Sequence, residues 1–330
     1  MAKRRILITG GSGFLGSHLI RYLIENDYEI VNYDKSPANQ ALQLIISPVN
    51  KNIINEYGSL LDITSILNVI KTYKINQIVH CGAILDLPYN LKRPYETYMV
   101  NTVGSINIFE AAKLMNISRV INISSIAVYT SKKYEPMNEE HPILLPDEGN
   151  STGSYGASKA AAEIIAQSYW ANDGVDCITL RLSAVYGYGM RNPMYIKPMV
   201  ENSVLGKPTV FKTGGAMSRD YTYVKDVAQA IKKSLEVDSS KISKRIFLST
   251  SGKMNTAMDV ANIVKEFIPD SKIGIGLELS EEEKINMKTR ATLDISAAKK
   301  QLGYEPAYNL KRGIAEYIEM FRDFYKKGTN

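Results

Sequence analysis

Cysteine is nearly absent from this chain: Cys81 and Cys177 are the only two in 330 residues, and they lie far apart. That excludes a disulfide scaffold and points to a reducing compartment. Histidine is as sparse. His18, His80 and His141 have no His, Cys or Asp partners at ligand spacing, so no metal site is expected. No apolar run approaches the roughly 18 residues that a membrane helix needs. The basic start Met-Ala-Lys-Arg-Arg is followed by only Ile6-Leu7-Ile8 before a glycine cluster, too short for the apolar core of a signal peptide. Blocks of like charge are missing too. Forty Lys and Arg against 34 Asp and Glu give a net charge of +6, scattered along the chain, which argues against a nucleic-acid face and suits an anionic ligand. Lys132-Lys133, Lys299-Lys300 and Glu139-Glu140-His141-Pro142 read as solvated surface. With 45% hydrophobic and 22% charged residues, disorder and fibrous structure are excluded. A soluble, cytoplasmic globule is the expectation.

What is present is an alternation of strand and helix patterns over the first 180 residues, with no fixed-period repeat. Arg5–Thr9, Glu29–Tyr33, Gln77–Cys81, Arg119–Ser124 and Asp176–Leu182 read as strands. Gly13–Asn26 and Asn101–Leu114 read as helices between them. This pattern predicts an α/β fold with a doubly wound parallel sheet over residues 1–180. From 181 to 330 Gly and Pro break the pattern into helical pieces at Asp226–Leu235, Thr256–Phe267 and Leu310–Tyr325, read as a smaller α/β substrate lobe. One strand there, Arg245–Ser249, is a candidate to return to the main sheet.

Thr9-Gly10-Gly11-Ser12-Gly13-Phe14-Leu15-Gly16 follows the first strand and opens the first helix. Glycines at 10, 13 and 16 permit a tight turn and bring backbone N–H groups and the helix N-terminus against a pyrophosphate. Asp34 closes the second strand, where a carboxylate takes both hydroxyls of an adenosine ribose and repels a 2′-phosphate. The pairing predicts a dinucleotide site favouring NAD over NADP, softened by Lys35. Farther on, Tyr155-Gly156-Ala157-Ser158-Lys159 begins a helical stretch. Spacing of i, i+4 puts Tyr155 and Lys159 on one face, where the cation is expected to lower the phenol pKa and make Tyr155 a usable acid/base. A hydrolase triad at Ser125 is disfavoured, because no Gly-x-Ser-x-Gly elbow surrounds it. His80 reads as a hydrogen-bonded core residue, and Cys81 as small packing rather than a nucleophile.

These motifs occur in a set order with Ser124-Ser125-Ile126-Ala127-Val128-Tyr129, Leu180-Arg181-Leu182-Ser183-Ala184-Val185-Tyr186-Gly187, Arg219-Asp220-Tyr221-Thr222-Tyr223 and Leu302-Gly303-Tyr304-Glu305-Pro306. Together they closely resemble the extended short-chain dehydrogenase/reductases of the NAD-dependent epimerase/dehydratase group, over roughly residues 4–320. The resemblance implies catalytic roles for Ser125, Tyr155 and Lys159, with Lys159 also holding the nicotinamide ribose. It implies cofactor contacts from Gly10, Gly13, Phe14, Leu15, Gly16, Asp34, Lys35, Asp62, Ile63, Cys81, Gly82, Ala83, Asn101 and Ser183. Ser125 and Arg219 match substrate-binding positions, Arg219 one that commonly takes a phosphate. A homodimer through the helices near Asn101–Leu114 and Ser154–Tyr169 is also implied.

Departures from the family pattern narrow the reaction. Related dehydratases and decarboxylases carry Glu where this chain has Ala127, which argues against dehydration. The Cys that related reductase-epimerases carry there is also absent. Nucleotide-sugar enzymes usually have Asn where this chain has Ala184, and an Arg-Pro-Gly-Asp segment near the diphosphate, in whose place only Lys284 and Arg290 stand. Three readings follow: a 4-epimerase of a sugar or nucleotide-sugar, a dehydrogenase of a free sugar, sugar acid or other small hydroxy compound, and an NAD-sensing protein without catalysis. Intact Tyr155 and Lys159 disfavour the last.

Overall fold

The computed structural model describes residues 4–85, 92–144 and 153–328; Met1 to Lys3, at the head of the basic start, lie outside them. Seven parallel strands form the main sheet in the order β10-β6-β5-β4-β1-β2-β3. They are β1 (Arg5–Thr9), β2 (Glu29–Asp34), β3 (Ile53–Tyr57), β4 (Gln77–His80), β5 (Arg119–Ser125), β6 (Cys177–Leu182) and β10 (Ile246–Leu248). Except for the outer strand β3, they are buried on both faces, and their side chains alternate between two cores. Ile6 and Ile8 of β1 point into one, while Leu7 points into the other with Val31, Ile78 and Val120. Helices α1 (Phe14–Ile24), α2 (Gln40–Ile46), α3 (Ile63–Tyr73), α4 (Pro94–Tyr98), α5 (Gly104–Leu114) and α6 (Gly153–Asp173) connect or flank these strands.

The remaining described elements are β7 (Ala184–Tyr186), α7 (Ile196–Val204), β8 (Thr209–Phe211), β9 (Ser218–Tyr223), α8 (Val224–Glu236), β11 (Met254–Thr256), α9 (Ala257–Phe267), β12 (Ile273–Ile275), α10 (Glu281–Met287) and α11 (Leu310–Gly328). β9 joins β7 in parallel and β11 in antiparallel, and β8 pairs with β12. Ile246–Leu248 lies beside β6, with Phe247 opposite Leu180. The core that begins at Ile6 runs unbroken to Tyr186, Tyr223, Val260, Tyr304 and Tyr317, so the later elements fold onto the sheet rather than around a core of their own.

Two expectations change. The helix anticipated from Asn101 starts properly only at Gly104, because Met99–Val103 forms a wider π turn. Its cause is local: Ser105 Oγ donates to the Asn101 carbonyl at 2.6 Å, competing with the helical ladder. The Glu139–Pro142 segment is not a solvated loop throughout. His141 is buried between Tyr129 and Tyr134, with ring centroids 5.1 and 4.8 Å away. Its Nε2 accepts the Lys133 N–H at 3.0 Å, and Glu139 Oε1 accepts the Leu248 N–H at 2.9 Å. The segment thus covers an edge strand whose N–H groups need partners.

Candidate active site

Strand order reverses between β1 and β4, and in such sheets ligands bind beyond the carboxyl ends of the strands at that point. The first wall there is the glycine turn. Gly10 has φ +71°, and a Cβ on it would lie 2.7 Å from Gly82 Cα. A Cβ on Gly16 would lie 2.3 Å from the Gly10 carbonyl oxygen. The N-terminal turn of α1, which includes Phe14, Leu15 and Gly16, follows Gly13 with no side-chain cap, leaving backbone N–H groups for an anion. Asp34 ends β2 beside this turn. Its carboxylate accepts the Ser12 N–H at 3.0 Å and the Lys35 N–H at 2.7 Å. Burial raises its pKa and these N–H groups oppose the rise. Lys35 is exposed. Asp62 caps α3 by accepting the Ser65 N–H at 3.0 Å, with Ile63 as the first helical residue. A cradle that side chains would fill, with a carboxylate at the neighbouring strand end, fits a dinucleotide.

The second wall is the segment after β4. Cys81 and Gly82 donate their N–H groups to the Thr9 carbonyl and hydroxyl at 3.1 and 3.3 Å. Asn101 holds Ile84 just past Ala83, accepting its N–H at 2.7 Å and donating to its carbonyl at 3.1 Å. The same amide donates to Ser158 on α6 at 3.1 Å. Behind them His80 bridges Thr9 and Ser105 at 2.7 and 3.0 Å. Ser105 spends its proton on Asn101, so it accepts from His80 Nε2–H, and Nδ1 accepts from Thr9. That arrangement suits neutral imidazole, and burial lowers His80 to about 3.

Tyr155 of α6 and Ser125 of β5 meet, and Lys159 stands one turn along α6. Tyr155 hydrogen-bonds Ser125, whose oxygen also accepts the Ala127 N–H at 3.1 Å. Lys159, one turn along α6, donates to the Ile123 carbonyl at 2.7 Å. Burial lowers its pKa to about 8, opposed by Cys81 and Glu163. The expected lowering of Tyr155 is not what the structure contains. Burial pushes its phenol up to about 12, with the Ser125 bond as the one opposing influence. Desolvation prevails, and the i+4 ammonium donates instead to the Ile123 carbonyl.

Ser183 and Arg219 fall in the other lobe. The Ser183 hydroxyl is committed to Asp220 and Thr222, bonding the Asp220 carbonyl at 2.7 Å. Arg219 on β9 and Arg290 after α10 come together: burial, and then the Arg219 charge, lower Arg290 to about 10. Neither forms an ion pair among the described residues, and the Nε of each, with the hydroxyl of Tyr221 beside them, is buried without a partner there. Tyr221 was not singled out in the sequence; its place within Arg-Asp-Tyr was the available signal.

Residues 6–248 match the NAD-dependent epimerase/dehydratase family. The chain belongs to that family. It is therefore an enzyme of the NAD-dependent epimerase/dehydratase type, and NAD is its cofactor. A putative UDP-glucose 4-epimerase of Methanocaldococcus jannaschii is 28% identical, covering 96% of this chain and 98% of its own. The UDP-glucose 4-epimerase of Thermotoga maritima, solved with UDP-glucose, superposes with a TM-score of 0.83 at 23% identity, covering 97% and 99%. L-Threonine dehydrogenase of Clostridium difficile does so with 0.84 at 22%, covering 98% and 99%. Epimerase and dehydrogenase thus share this family fold almost equally. No described helix is long and apolar enough to cross a membrane, and no described cluster of three His, Cys, Asp or Glu could hold a metal.

Proposed function

We propose that this enzyme is a 4-epimerase acting on a nucleotide-sugar. The observation that carries the reading is the Arg219–Arg290 pair. Two half-buried guanidinium groups brought together with no carboxylate paired to either, and with the Nε of each buried and unpartnered, are costly in a free protein, and a diphosphate supplies the charge and acceptors both need. Arg290 makes good the missing Arg-Pro-Gly-Asp segment. Ala184 gives up an amide to the substrate, which this reading must do without.

Glycines 10, 13 and 16, with Asp34, Asp62 and the Cys81–Ala83 segment, hold NAD, which supplies the hydride acceptor at the nicotinamide. Phe14, Leu15, Lys35, Ile63, Asn101 and Ser183 belong to the same shell. Ser125 hydrogen-bonds the reacting oxygen. Tyr155 carries the proton at its hydroxyl, removing it from the alcohol and returning it to the ketone oxygen. A phenol at about 12 favours the return step, and the Lys159 ammonium on the same helix face favours the Tyr155 phenolate that takes the alcohol proton. No carboxylate stands at Ala127, whose N–H instead donates to Ser125, so water elimination lacks its acid/base. A homodimer through α5 and α6, which leave Leu114 and Ile164 exposed, completes the reading; a monomer mass by light scattering would remove that part.

A dehydrogenase of a small hydroxy acid is the second reading, favoured by Ala184, since an arginine also takes a carboxylate. Denaturing protein purified without added nucleotide and quantifying what is released separates the two. Near-stoichiometric NAD is expected for an epimerase, whose cofactor is never consumed. An empty site binding NAD reversibly favours the dehydrogenase.

A further inference from the structure

An ion pair lies behind Ser125, Tyr155 and Lys159 that the reaction above does not use. Arg181 on β6 and Glu163 on α6 are almost inaccessible, with side-chain exposures of 4% and 2%. Arg181 Nη2 donates to Glu163 Oε2 at 2.7 Å and Nε to Oε1 at 3.0 Å. Ser124 donates to the same carboxylate at 2.5 Å. Arg181 Nη1 donates to the Tyr129 hydroxyl at 2.6 Å, which donates onward to the Asn138 carbonyl at 3.0 Å. Buried pairs of this kind add little stability over apolar packing, so stability alone does not explain one here.

Its position suggests the use. Glu163 follows Lys159 by four residues on α6, on the same face. The titratable groups facing Lys159 are His80 and Cys81 from β4 and the segment after it, Tyr155 and Glu163 from its own helix, Tyr155 neutral up to about 12, with Arg181 of β6 behind Glu163. Burial keeps the Cys81 thiol neutral up to about 12 and His80 neutral down to about 3. In the range between, Glu163 is the charge among these groups that favours the ammonium.

We propose that Glu163 is a positioning residue: clamped by Arg181 and Ser124, its carboxylate keeps Lys159 an ammonium in a desolvated interior. The inference rests on the proposed role of Lys159, but its test reads the lysine itself and does not depend on turnover. In the full chain labelled with carbon-13 lysine, the Lys159 signal is identified by its loss in Lys159→Arg and titrated by NMR at matched nucleotide content. Glu163→Gln removes the anion and leaves Arg181 unpaired, so the midpoint is expected to fall by about one pH unit, a tenfold shift. The double variant Glu163→Gln with Arg181→Met removes both charges and is expected to lower it by less. Should the single variant fail to fold, the double variant decides: a lowered midpoint supports the proposal. An unmoved or raised midpoint in either folded variant overturns it. Loss of turnover with an unmoved lysine would overturn this inference and leave the proposed reaction standing.

Discussion

Gly10 and Gly82 meet backbone to backbone: a Cβ on Gly10 would stand 2.7 Å from both the Cα and the nitrogen of Gly82. The turn after β1 and the segment after β4 are thereby in contact, and the cofactor space proposed above is bounded by both. Gly10 also sits at φ +71°, a left-handed conformation that costs a side chain about 1–2 kcal/mol. Gly10→Ala is expected to weaken NAD binding at least about tenfold and to lower the denaturant midpoint, both from backbone displacement. Calorimetry and urea unfolding check it; unchanged NAD affinity would contradict the assigned cradle.

Asp34 accepts two backbone N–H groups, from Ser12 and Lys35, and so is held at the end of β2. Asp34→Asn should lose roughly tenfold in NAD affinity and narrow the preference for NAD over NADP, because the repulsion of a 2′-phosphate disappears. Fluorescence titrations with both dinucleotides test this. A preference that survives intact would place discrimination elsewhere.

Arg290 predicts a trade of stability against binding. Replacing it with Met relieves its repulsion with Arg219, and should raise stability by about 1 kcal/mol. The same change should weaken UDP binding by about 2 kcal/mol, roughly thirtyfold, and leave NAD affinity unchanged. Thermal melts and calorimetry on one sample read all three. UDP affinity equal to that of the parent would remove the diphosphate from this site.

Lys159 makes stability and activity diverge with pH. Its folded pKa is about 8 against an ordinary 10.5. Between those values the unfolded chain binds more protons than the folded one, so stability rises with pH across that window, by roughly 3 kcal/mol in full. Below pH 8 both forms are charged and the burial penalty is present throughout. Activity runs the other way, falling above about pH 8 as the ammonium is lost. Urea midpoints and initial rates measured at the same pH values test the pair of trends; parallel trends would contradict it.

Much of this was legible before any coordinates. The chain belongs to the family its motifs resemble, and six of the seven main-sheet strands, Ile246–Leu248 included, stand within a residue of where β-branched runs place them. Ile53–Tyr57 was passed over: its Asn-Glu-Tyr end is polar, as suits an outer strand with exposed positions. Boundaries failed where a side chain intervened, as when Ser105 bonded Asn101. Long-range pairing was harder still. Arg181 and Glu163 are 18 residues apart, and no local pattern announces that they meet. Tyr155 shows the same limit in its chemistry: spacing gave its helix face, but burial, a property of the whole fold, raised its pKa.

The most direct test of the central claim follows a panel of UDP- and dTDP-hexoses by proton NMR in the presence of the enzyme, while NADH absorbance is recorded. The account predicts that one hexose converts to its 4-epimer until the two reach equilibrium, with no net NADH. Oxidation of a small hydroxy acid with stoichiometric NADH, and no epimer from any nucleotide-sugar, would contradict it.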